Sequence, residues 1–533
     1  MDILHGIVTG FAVCLEPTKL LACFFGVLVG TAMGVLPGIG PAGAVALLIP
    51  LTFHMDPASA VIMIAGIYYG TQYGGSTTSI LVNIPGEAAS VITCLDGYQM
   101  TQKGRAGAAL GISAFGSFIA GTIGVIGLMV LSPPLAEFAL KFGPPEIFAL
   151  VLLSFTLVAF LSSGSMTRSL MMVVLGLLLA TVGQEAITAI PRFTFGSVDL
   201  QAGLDLVPLI MGLFGISEVL LSLENIRHGE DAGTLRPTPK FWDLLPNRQD
   251  WRRSAGPISR GSLIGFLIGL LPGGTGIIAS FASYAIERKV SKHPERFGQG
   301  AIEGVAGPES ANNGAAQGAF IPLLTLGIPG NAVMALTLGA LKIHGIIPGP
   351  FLIKEHPNVF WGVVASMYVG NVLLLALNLP LIGIWVRLLK IPKSILYPLI
   401  IFFCIIGTYS VSNSLFDVGA LFFFGFLGYV LRRLNFDLAP LILGFILGPI
   451  LETSARQSLI MSGGMFDIFY SSAITMILLG LTAAVLGTAV SSEIRKGKVS
   501  KGLEALKREM EASEEKQERS GSAWKGERDL DRG

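Results

Sequence analysis

Charged side chains are scarce in this sequence. Lys, Arg, Asp and Glu make up 13% of the 533 residues, whereas about 25% is typical of a soluble protein. Hydrophobic residues make up 52%, and the mean hydropathy is +0.69. Because 21 of the 71 charges fall in the last 41 residues, the rest of the chain cannot cover its surface with charge. A soluble multidomain enzyme is therefore excluded, and lipid is the expected solvent.

Dense basic stretches and paired metal ligands are also missing. The formal net charge is +1, which argues against any nucleic-acid partner. The four cysteines form no CxxC pair, and no two of the six histidines are four residues apart, so no metal site is predicted. The phosphate-loop, HExxH and GxSxG signatures are absent. We therefore predict no catalytic residues, no cofactor and no enzymatic activity.

Apolar segments fill the chain instead, and glycine is frequent, with 67 residues. Several segments are too short to cross a hydrocarbon core of about 30 Å, and the short ones meet at Gly/Pro clusters. We predict two re-entrant hairpins at these places. The hairpin 20–53 breaks at Pro37–Pro41, and the hairpin 257–286 breaks at Pro272–Gly276. Further along, hydropathy predicts a single apolar segment over 315–343.

The breaks recur in the same order in the two halves of the chain. Gly34-Val-Leu-Pro-Gly38 is matched by Gly269-Leu-Leu-Pro-Gly273, at an offset of 235 residues. Asn83-Ile-Pro-Gly-Glu87 is matched by Gly327-Ile-Pro-Gly-Asn331, at an offset of 244 residues. Two such pairs at nearly equal offsets predict an internal duplication.

Lys and Arg orient the chain, because cytoplasmic loops carry an excess of them. Seven lie in 226–260 and four in 287–296, so we place both stretches and both termini in the cytoplasm. The predicted fold is an all-α integral membrane protein with about twelve transmembrane helices plus two re-entrant hairpins in two inverted repeats. The first repeat, 1–200, has five crossings, and this odd number inverts the second repeat, 201–492, which has two extra helices. Residues 493–533 are predicted to form a polar cytoplasmic tail.

The breaks are predicted to bind the substrate or an ion. Backbone that leaves a helix at membrane depth has unpaired N–H and C=O groups, and helix N-termini carry a partial positive charge that suits a carboxylate. Pro41 suits a first helical turn, and Thr275 and Asn331 are predicted N-caps. Ordinary helix kinks are the alternative. The candidates at the breaks are Pro37, Gly38, Gly40, Gly273, Gly274, Thr275, Gly330 and Asn331.

Glycines at the hairpin tips are expected to need positive φ or close backbone approach. Gly425 and Gly428 lie in an uninterrupted apolar span instead, so we expect larger residues there to act through packing alone and to cost much less.

Two polar clusters accompany the breaks. Their hydroxyl and amide groups offer oxygen ligands for a small cation and donors for an anion. The candidates are Gly75, Ser76, Thr77, Thr78 and Asn83 in the first cluster, and Glu309, Asn312 and Asn313 in the second. Hydrogen bonding between helices is the alternative. A separate alternative places Glu87 and Glu309 in interfacial loops. Tyr68, Tyr69 and Tyr73 are interpreted equally as interface anchors or packing residues and as ligands.

These motifs resemble one family along about residues 1–490. The sequence is similar to the large membrane subunit of tripartite tricarboxylate transporters, the TctA-type permease. The matching stretches are Gly34-Val-Leu-Pro-Gly-Ile-Gly-Pro41, Tyr68-Tyr-Gly-Thr-Gln-Tyr-Gly-Gly-Ser76, Asn83-Ile-Pro-Gly-Glu87, Asp96-Gly-Tyr98, Gly307-Pro-Glu-Ser-Ala-Asn-Asn313 and Leu326-Gly-Ile-Pro-Gly330.

The resemblance implies a multi-pass permease of the bacterial inner membrane. It implies two partners, a small membrane subunit with about four helices and a periplasmic solute-binding protein, and the import of organic carboxylates driven by an ion gradient. The coupling cation would be Na⁺ or H⁺, and the sequence does not choose between them. A passive anion channel or pore is the alternative function. An elevator movement of a hairpin-bearing domain is a hypothesis drawn from the hairpins.

Overall fold

The computed structural model describes residues 3–36, 39–162, 165–185, 187–227, 241–388, 393–488 and 491. In the first half the helices are α1 (Ile3–Cys14), α2 (Pro17–Val35), α3 (Gly40–Leu48), α4 (Pro57–Val82), α5 (Val91–Thr93), α6 (Gln99–Gln102), α7 (Ala106–Ala139), α8 (Pro144–Leu161) and α9 (Met166–Ala180). Two short antiparallel strands follow, β1 (Gly183–Gln184) and β2 (Pro191–Arg192).

Helices also fill the second half. They are α10 (Leu206–Ile210), α11 (Ser217–Arg227), α12 (Arg248–Gly269), α13 (Gly276–Val290), α14 (Glu303–Leu326), α15 (Ala332–Ile343), α16 (Leu352–Glu355), α17 (Pro357–Asn378), α18 (Ile382–Leu388), α19 (Lys393–Ser412), α20 (Leu415–Arg433), α21 (Ala439–Met461), α22 (Ile468–Ser471) and α23 (Ala473–Thr488). Single turns of 3-10 or π helix cover Ile49–Thr52, Ala88–Ser90, Cys94–Tyr98, Met211–Ile216, Phe241–Leu244 and Pro294–Arg296.

Long apolar helices confirm the all-α membrane class. Within the described residues, 7 helices are long and apolar enough to cross a membrane, and several shorter apolar helices accompany them. The long ones are Pro17–Val35, Ala106–Ala139, Pro144–Leu161, Leu206–Glu224, Pro357–Asn378, Leu415–Arg433 and Ala439–Met461. The count of twelve crossings and the inversion stay predictions. The tail 493–533 and the central part of the loop 226–256 lie outside the described residues.

The chain leaves the helix at both predicted hairpin tips. Gly40 has φ +60° and Gly273 has φ +84°, so the expectation of positive φ is confirmed at these two positions. Gly274 lies close to backbone instead, because a Cβ there would be 1.8 Å from the Ile268 carbonyl oxygen. Pro41 lies in the first turn of α3, as expected. Pro37 and Gly38 lie outside the described residues.

The second pair of breaks has the same conformation in both halves. Asn83 ends α4 with φ 58°, and Gly327 ends α14 with φ 72°, both in the left-handed region. An Ile-Pro-Gly tripeptide follows each of them. The two C-caps are 244 residues apart, which is the offset of the sequence motif that contains them.

Rows of glycine bring two pairs of helices into backbone contact. On α2 and on α12 a glycine recurs every fourth residue, and a Cβ at any of them would lie 2.1–2.4 Å from a carbonyl oxygen of α4 or α14. The contacts are Gly26–Met63, Gly30–Ile67 and Gly34–Thr71 in the first half, and Gly261–Gly307, Gly265–Ala311 and Gly269–Ala315 in the second. The two sets differ by the same 235 and 244 residues that separate the sequence motifs.

Helices α4 and α14 occupy the centre of the molecule. Nearly every residue of both is buried, including their polar ones. Helix α7 packs against α14, and α17 packs against α4 and α7. Helices α8, α9 and α21 form a second group, and α10, α11, α19 and α20 form a third. Helices α3 and α15 contact one another and α4, and α15 also contacts α14. On their other sides α3 contacts α19 and α15 contacts α21, so the broken segments lie between the groups.

Candidate functional site

A cavity of about 260 Å³ lies where the broken segments meet. Its wall includes residues of α3, α4, α13, α14, α15 and α21. Drug-sized ligands occupy pockets from about 300 Å³ upward, so this cavity suits a smaller molecule.

The first turns of four helices line this cavity. The residue pairs that line it from the first helical turns are Pro41–Ala42 of α3, Gly276–Ile277 of α13, Ala332–Val333 of α15 and Ala439–Pro440 of α21. First-turn N–H groups have no partner inside their own helix. The N-terminal end of each helix also carries roughly half a positive charge. The arrangement therefore attracts an anion.

Side-chain caps hold two of these helix ends in place. The Thr275 hydroxyl oxygen accepts from the Ile278 N–H at 3.5 Å, and Asn331 Oδ1 accepts from the Met334 N–H at 3.0 Å. Both N-cap predictions are confirmed. Each cap uses an N–H of the third helical residue and leaves the first two for a ligand. The Gly273 N–H donates to the Gly330 carbonyl oxygen at 2.7 Å, which joins the hairpin tip to the break before α15.

The structure brings five of the predicted site residues to the cavity wall. They are Gly273, Thr275, Asn312, Gly330 and Asn331. Two others, Pro37 and Gly38, lie outside the described residues. The remaining candidates do not line this cavity: Gly40, Gly75, Ser76, Thr77, Thr78, Asn83, Gly274, Glu309 and Asn313.

Glu309 lies inside α14, 1% exposed, and not in an interfacial loop. Its carboxylate accepts hydrogen bonds from Ser76 at 2.5 Å, from Ser113 at 3.1 Å and from Thr93. These hydroxyls belong to α4, α7 and α5, so the carboxylate joins three helices to α14. Asn313 Nδ2 donates to the Ser117 hydroxyl of α7 at 2.8 Å. This part of the second polar cluster matches the alternative of hydrogen bonding between helices.

Hydroxyl groups of the first polar cluster bond mainly to their own helix. Thr77 donates to the Tyr73 carbonyl oxygen at 3.4 Å, and Thr78 donates to that of Gly75 at 2.9 Å. Gly75 makes room for Glu87, since a Cβ there would lie 2.8 Å from the Glu87 Cγ. The contribution of this glycine to the cavity is therefore indirect.

The sequence-based candidates omit five polar residues that line the cavity: Tyr68, Gln72, Glu87, Ser162 and Asp437. The Glu87 side chain is 6% exposed, and its Oε1 accepts from Asn312 Nδ2 at 2.5 Å. The repeat itself holds a signal for Glu87, because this residue occupies the position that Asn331 has in the second motif. Gln72 and Tyr68 lie on α4 outside the repeated motif, so the repeat does not mark them as site residues.

The charged residues of the cavity wall are acidic. Glu87 and Asp437 line it, and no Lys, Arg or His does so among the described residues. Asp437 is exposed, accepts from the Ser162 hydroxyl at 3.2 Å and caps the Ala439 N–H at 3.0 Å. Positive potential in the cavity therefore comes from the helix N-termini alone.

Comparison with known proteins gives a family and two relatives. Residues 20–443 match the model of the tripartite tricarboxylate transporter TctA family. A protein of Agrobacterium vitis, named as an uncharacterized 52.8 kDa protein in the TAR-I ttuC' 3'region, is 49% identical over 495 residues, which is 93% of this chain and 98% of the relative. An uncharacterized protein in the TAR-II ttuC' 3'region of the same organism is 54% identical over 231 residues, 43% of this chain and 96% of the relative. No solved structure matches. The chain belongs to the tripartite tricarboxylate transporter TctA family.

Proposed function

We propose that this chain is the permease subunit of a binding-protein-dependent secondary transporter. It imports organic carboxylates, tricarboxylates or related anions, across the bacterial inner membrane and is driven by an ion gradient. Membership of the TctA family supports the role of transporter component. The family description calls the transporter tripartite, which supports partner subunits. We infer that these are a small membrane subunit of about four helices and a periplasmic solute-binding protein.

One observation carries the assignment of a carboxylate substrate. Four helix N-termini face a single small cavity whose described wall has no basic side chain. Each terminus carries about half a positive charge, and those of α13 and α15 also offer the first-turn N–H donors that their caps leave free. Four such ends amount to about two positive charges, which can offset the charge of a small organic dianion without an arginine.

The repeated packing supports the two-repeat architecture of a secondary transporter. The glycine rows of α2 and α12 contact α4 and α14 in the same way, and α4 and α14 end in the same left-handed cap. Broken helices at a site between two repeats are typical of secondary transporters. Alternating access then proceeds by movement of the groups of helices around the cavity.

Uptake into right-side-out membrane vesicles tests the proposal. The vesicles contain this chain and the small subunit, and the binding protein is added outside with radiolabelled citrate or succinate. We expect accumulation above the external concentration when a cation gradient is imposed. We also expect it to stop when an ionophore is added or the binding protein is left out. Equilibration without accumulation would show a channel instead.

A further inference from the structure

Glu87 is buried without a cationic partner in the described part of the chain. Its side chain is 6% exposed and lines the cavity. The Asn312 amide, which is neutral, donates to its carboxylate. The other charged residue of the described wall, Asp437, is also acidic. A buried carboxylate is costly unless a positive charge pairs with it, so Glu87 favours a cation beside it.

Two side-chain carbonyl oxygens of the same cavity accept no hydrogen bond. Gln72 Oε1 and Asn312 Oδ1 are unpartnered, although both residues are only 2% exposed. Both residues line the cavity with Glu87. Asn312 Oδ1 packs closely against Gly276, because a Cβ there would lie 2.0 Å from this oxygen. Buried polar atoms are normally satisfied, so these two oxygens indicate a ligand.

We propose that Glu87, Gln72 and Asn312 bind a sodium ion at the cavity wall. Carboxylate and amide carbonyl oxygens are the ligands that hard cations prefer. A sodium ion requires several such oxygens, whereas a proton requires one, and the two unpartnered carbonyls therefore favour sodium. The bound ion supplies the positive charge that Glu87 lacks.

The site links the cation to the substrate. This step rests on the proposed function, because an organic anion is expected to occupy the same cavity. Without sodium, the Glu87 carboxylate repels the anion; with sodium, it does not. By thermodynamic linkage the anion then raises the affinity for sodium by the same factor by which sodium raises the affinity for the anion.

Direct binding of sodium tests the proposal without any transport. Purified full-length protein in choline buffer is titrated with radioactive sodium, and bound counts are measured. We expect saturable binding by the wild type and roughly tenfold weaker affinity, or less binding still, in Glu87→Gln, which loses a charged ligand. The matched control is Glu146→Gln, since Glu146 is also 6% exposed but bonds to the Gly143 N–H and to Thr475, away from the cavity.

A second variant keeps the test valid if Glu87→Gln does not fold. Gly276→Ala retains the three ligand side chains and displaces only the Asn312 carbonyl, so we expect a smaller loss of sodium affinity. Each variant is first checked for a monodisperse profile by size-exclusion chromatography. The proposal is overturned if these variants bind sodium as the wild type does, or if the wild type responds to pH and not to sodium.

The same measurements separate this proposal from the proposed function. Sodium binding that depends on Glu87, without any carboxylate uptake, would overturn the function and leave the cation site standing. Carboxylate uptake by a protein that binds no sodium would overturn the cation site and leave the function standing.

Discussion

At the scale of single residues, Gly273 has no room for a side chain. Its φ is +84°, and a Cβ would lie 2.7 Å from the Val158 Cα. We expect Gly273→Val to displace the N-terminus of α13 and to weaken charge-assisted hydrogen bonds to the anion. Such a bond contributes about 1.5–3 kcal/mol, so the apparent affinity for uptake should fall roughly 10- to 100-fold.

The matched control for this substitution is Gly419→Val, on α20. A Cβ at Gly419 meets nothing within 4 Å, so uptake should stay near that of the wild type at equal expression. That larger residues at Gly425 and Gly428 cost much less than at the breaks stays a prediction, but these two positions are closely packed and make poor controls. A Cβ at Gly425 would lie 2.5 Å from Ile216 Cγ2, and one at Gly428 would lie 3.0 Å from Ser217 Cβ. Both distances are short because α20 packs against the π-helical turn Met211–Ile216 and the start of α11. Equal uptake by Gly273→Val and Gly419→Val would mean that the break is an ordinary kink.

Glu309 gives a prediction about stability. Glu309→Ala leaves the hydroxyls of Thr93 and Ser113 without their acceptor, whereas the Ser76 hydroxyl keeps the Gln72 carbonyl oxygen. A buried unsatisfied polar group costs about 1–3 kcal/mol, so we expect a clear fall in the thermal unfolding temperature of the purified protein. Glu137→Ala, at an exposed position of α7, should leave it unchanged. An unaltered unfolding temperature together with lost uptake would instead make Glu309 a ligand.

Local chemistry decides which site residues can be predicted from sequence. Thr275 and Asn331 are recognised because an N-cap bonds to a residue three positions away. Gln72 and Glu87 depend on contacts over more than two hundred residues, such as Asn312 with Glu87. Their unpartnered or unpaired atoms become visible only when the helices are packed.

At the scale of helices, hydropathy finds apolar surfaces and misses polar ones that are buried in protein. It predicts one segment over 315–343, whereas the structure has α14 from Glu303 and a separate α15. The first half of α14 carries Glu309 and Asn313, which lower the hydropathy although both are buried. Hydrogen bonds to α4 and α7 satisfy these groups. The hydropathy of one segment contains no information about partners on other helices.

The N-terminus of α15 can be tested by removing one N–H group. Proline is tolerated in a first helical turn and donates no hydrogen bond. Asn331 is already extended, with φ −152° and ψ 176°, as a residue before proline must be. We expect Ala332→Pro to weaken the apparent affinity for the anion by roughly 10-fold or more, since the lost donor contributes about 1.5 kcal/mol or more.

Leu415→Pro provides the control for that variant. It changes the first residue of α20, and Ser414 before it is also extended, with φ −107° and ψ 125°. Leu415 is exposed and does not line the cavity. Uptake of radiolabelled substrate by Leu415→Pro should therefore match that of the wild type. A similar loss in both variants would trace the effect to helix stability and not to a donor in the cavity.

At the scale of the whole molecule, the topology rests on the distribution of Lys and Arg. Helix α9 begins near Arg168, which we expect in the cytoplasm, so the loop after it should be periplasmic. Phe195 lies in that loop and is 89% exposed. In a variant without the native cysteines, Phe195→Cys should react with an impermeant thiol reagent in intact cells, and Gly233→Cys should react only after lysis. The opposite result would remove the basis for inverted repeats.

The C-terminal tail should be dispensable. It has no membrane-compatible pattern and lies beyond both the family match, which ends at 443, and the described residues. Truncation after Lys501 is expected to leave uptake nearly intact at normal membrane levels of the protein. Lost uptake with normal levels would reveal a role for the tail.

Internal duplication is a feature of the whole molecule that the sequence predicts directly. Two short motifs predict it, and the glycine contacts reproduce their offsets over two helix pairs. The motifs do not indicate which helices of the first half pack against which helices of the second half. Contacts of α7 with α14 and of α17 with α4 join the two halves, and nothing local in either helix specifies its partner.

The Ser162–Asp437 contact lies at the exposed edge of the cavity. Arg168 is nearby, since it donates to the Leu434 carbonyl oxygen at 3.4 Å and lies over the Phe436 ring. On the predicted topology this edge faces the cytoplasm, so we infer that the conformation described is open to the cytoplasm. A second conformation, open to the periplasm, must then close the cavity at the Ser162–Asp437 contact. A crosslink between cysteines at Ser162 and Asp437 would report which of the two conformations a given cation and anion favour.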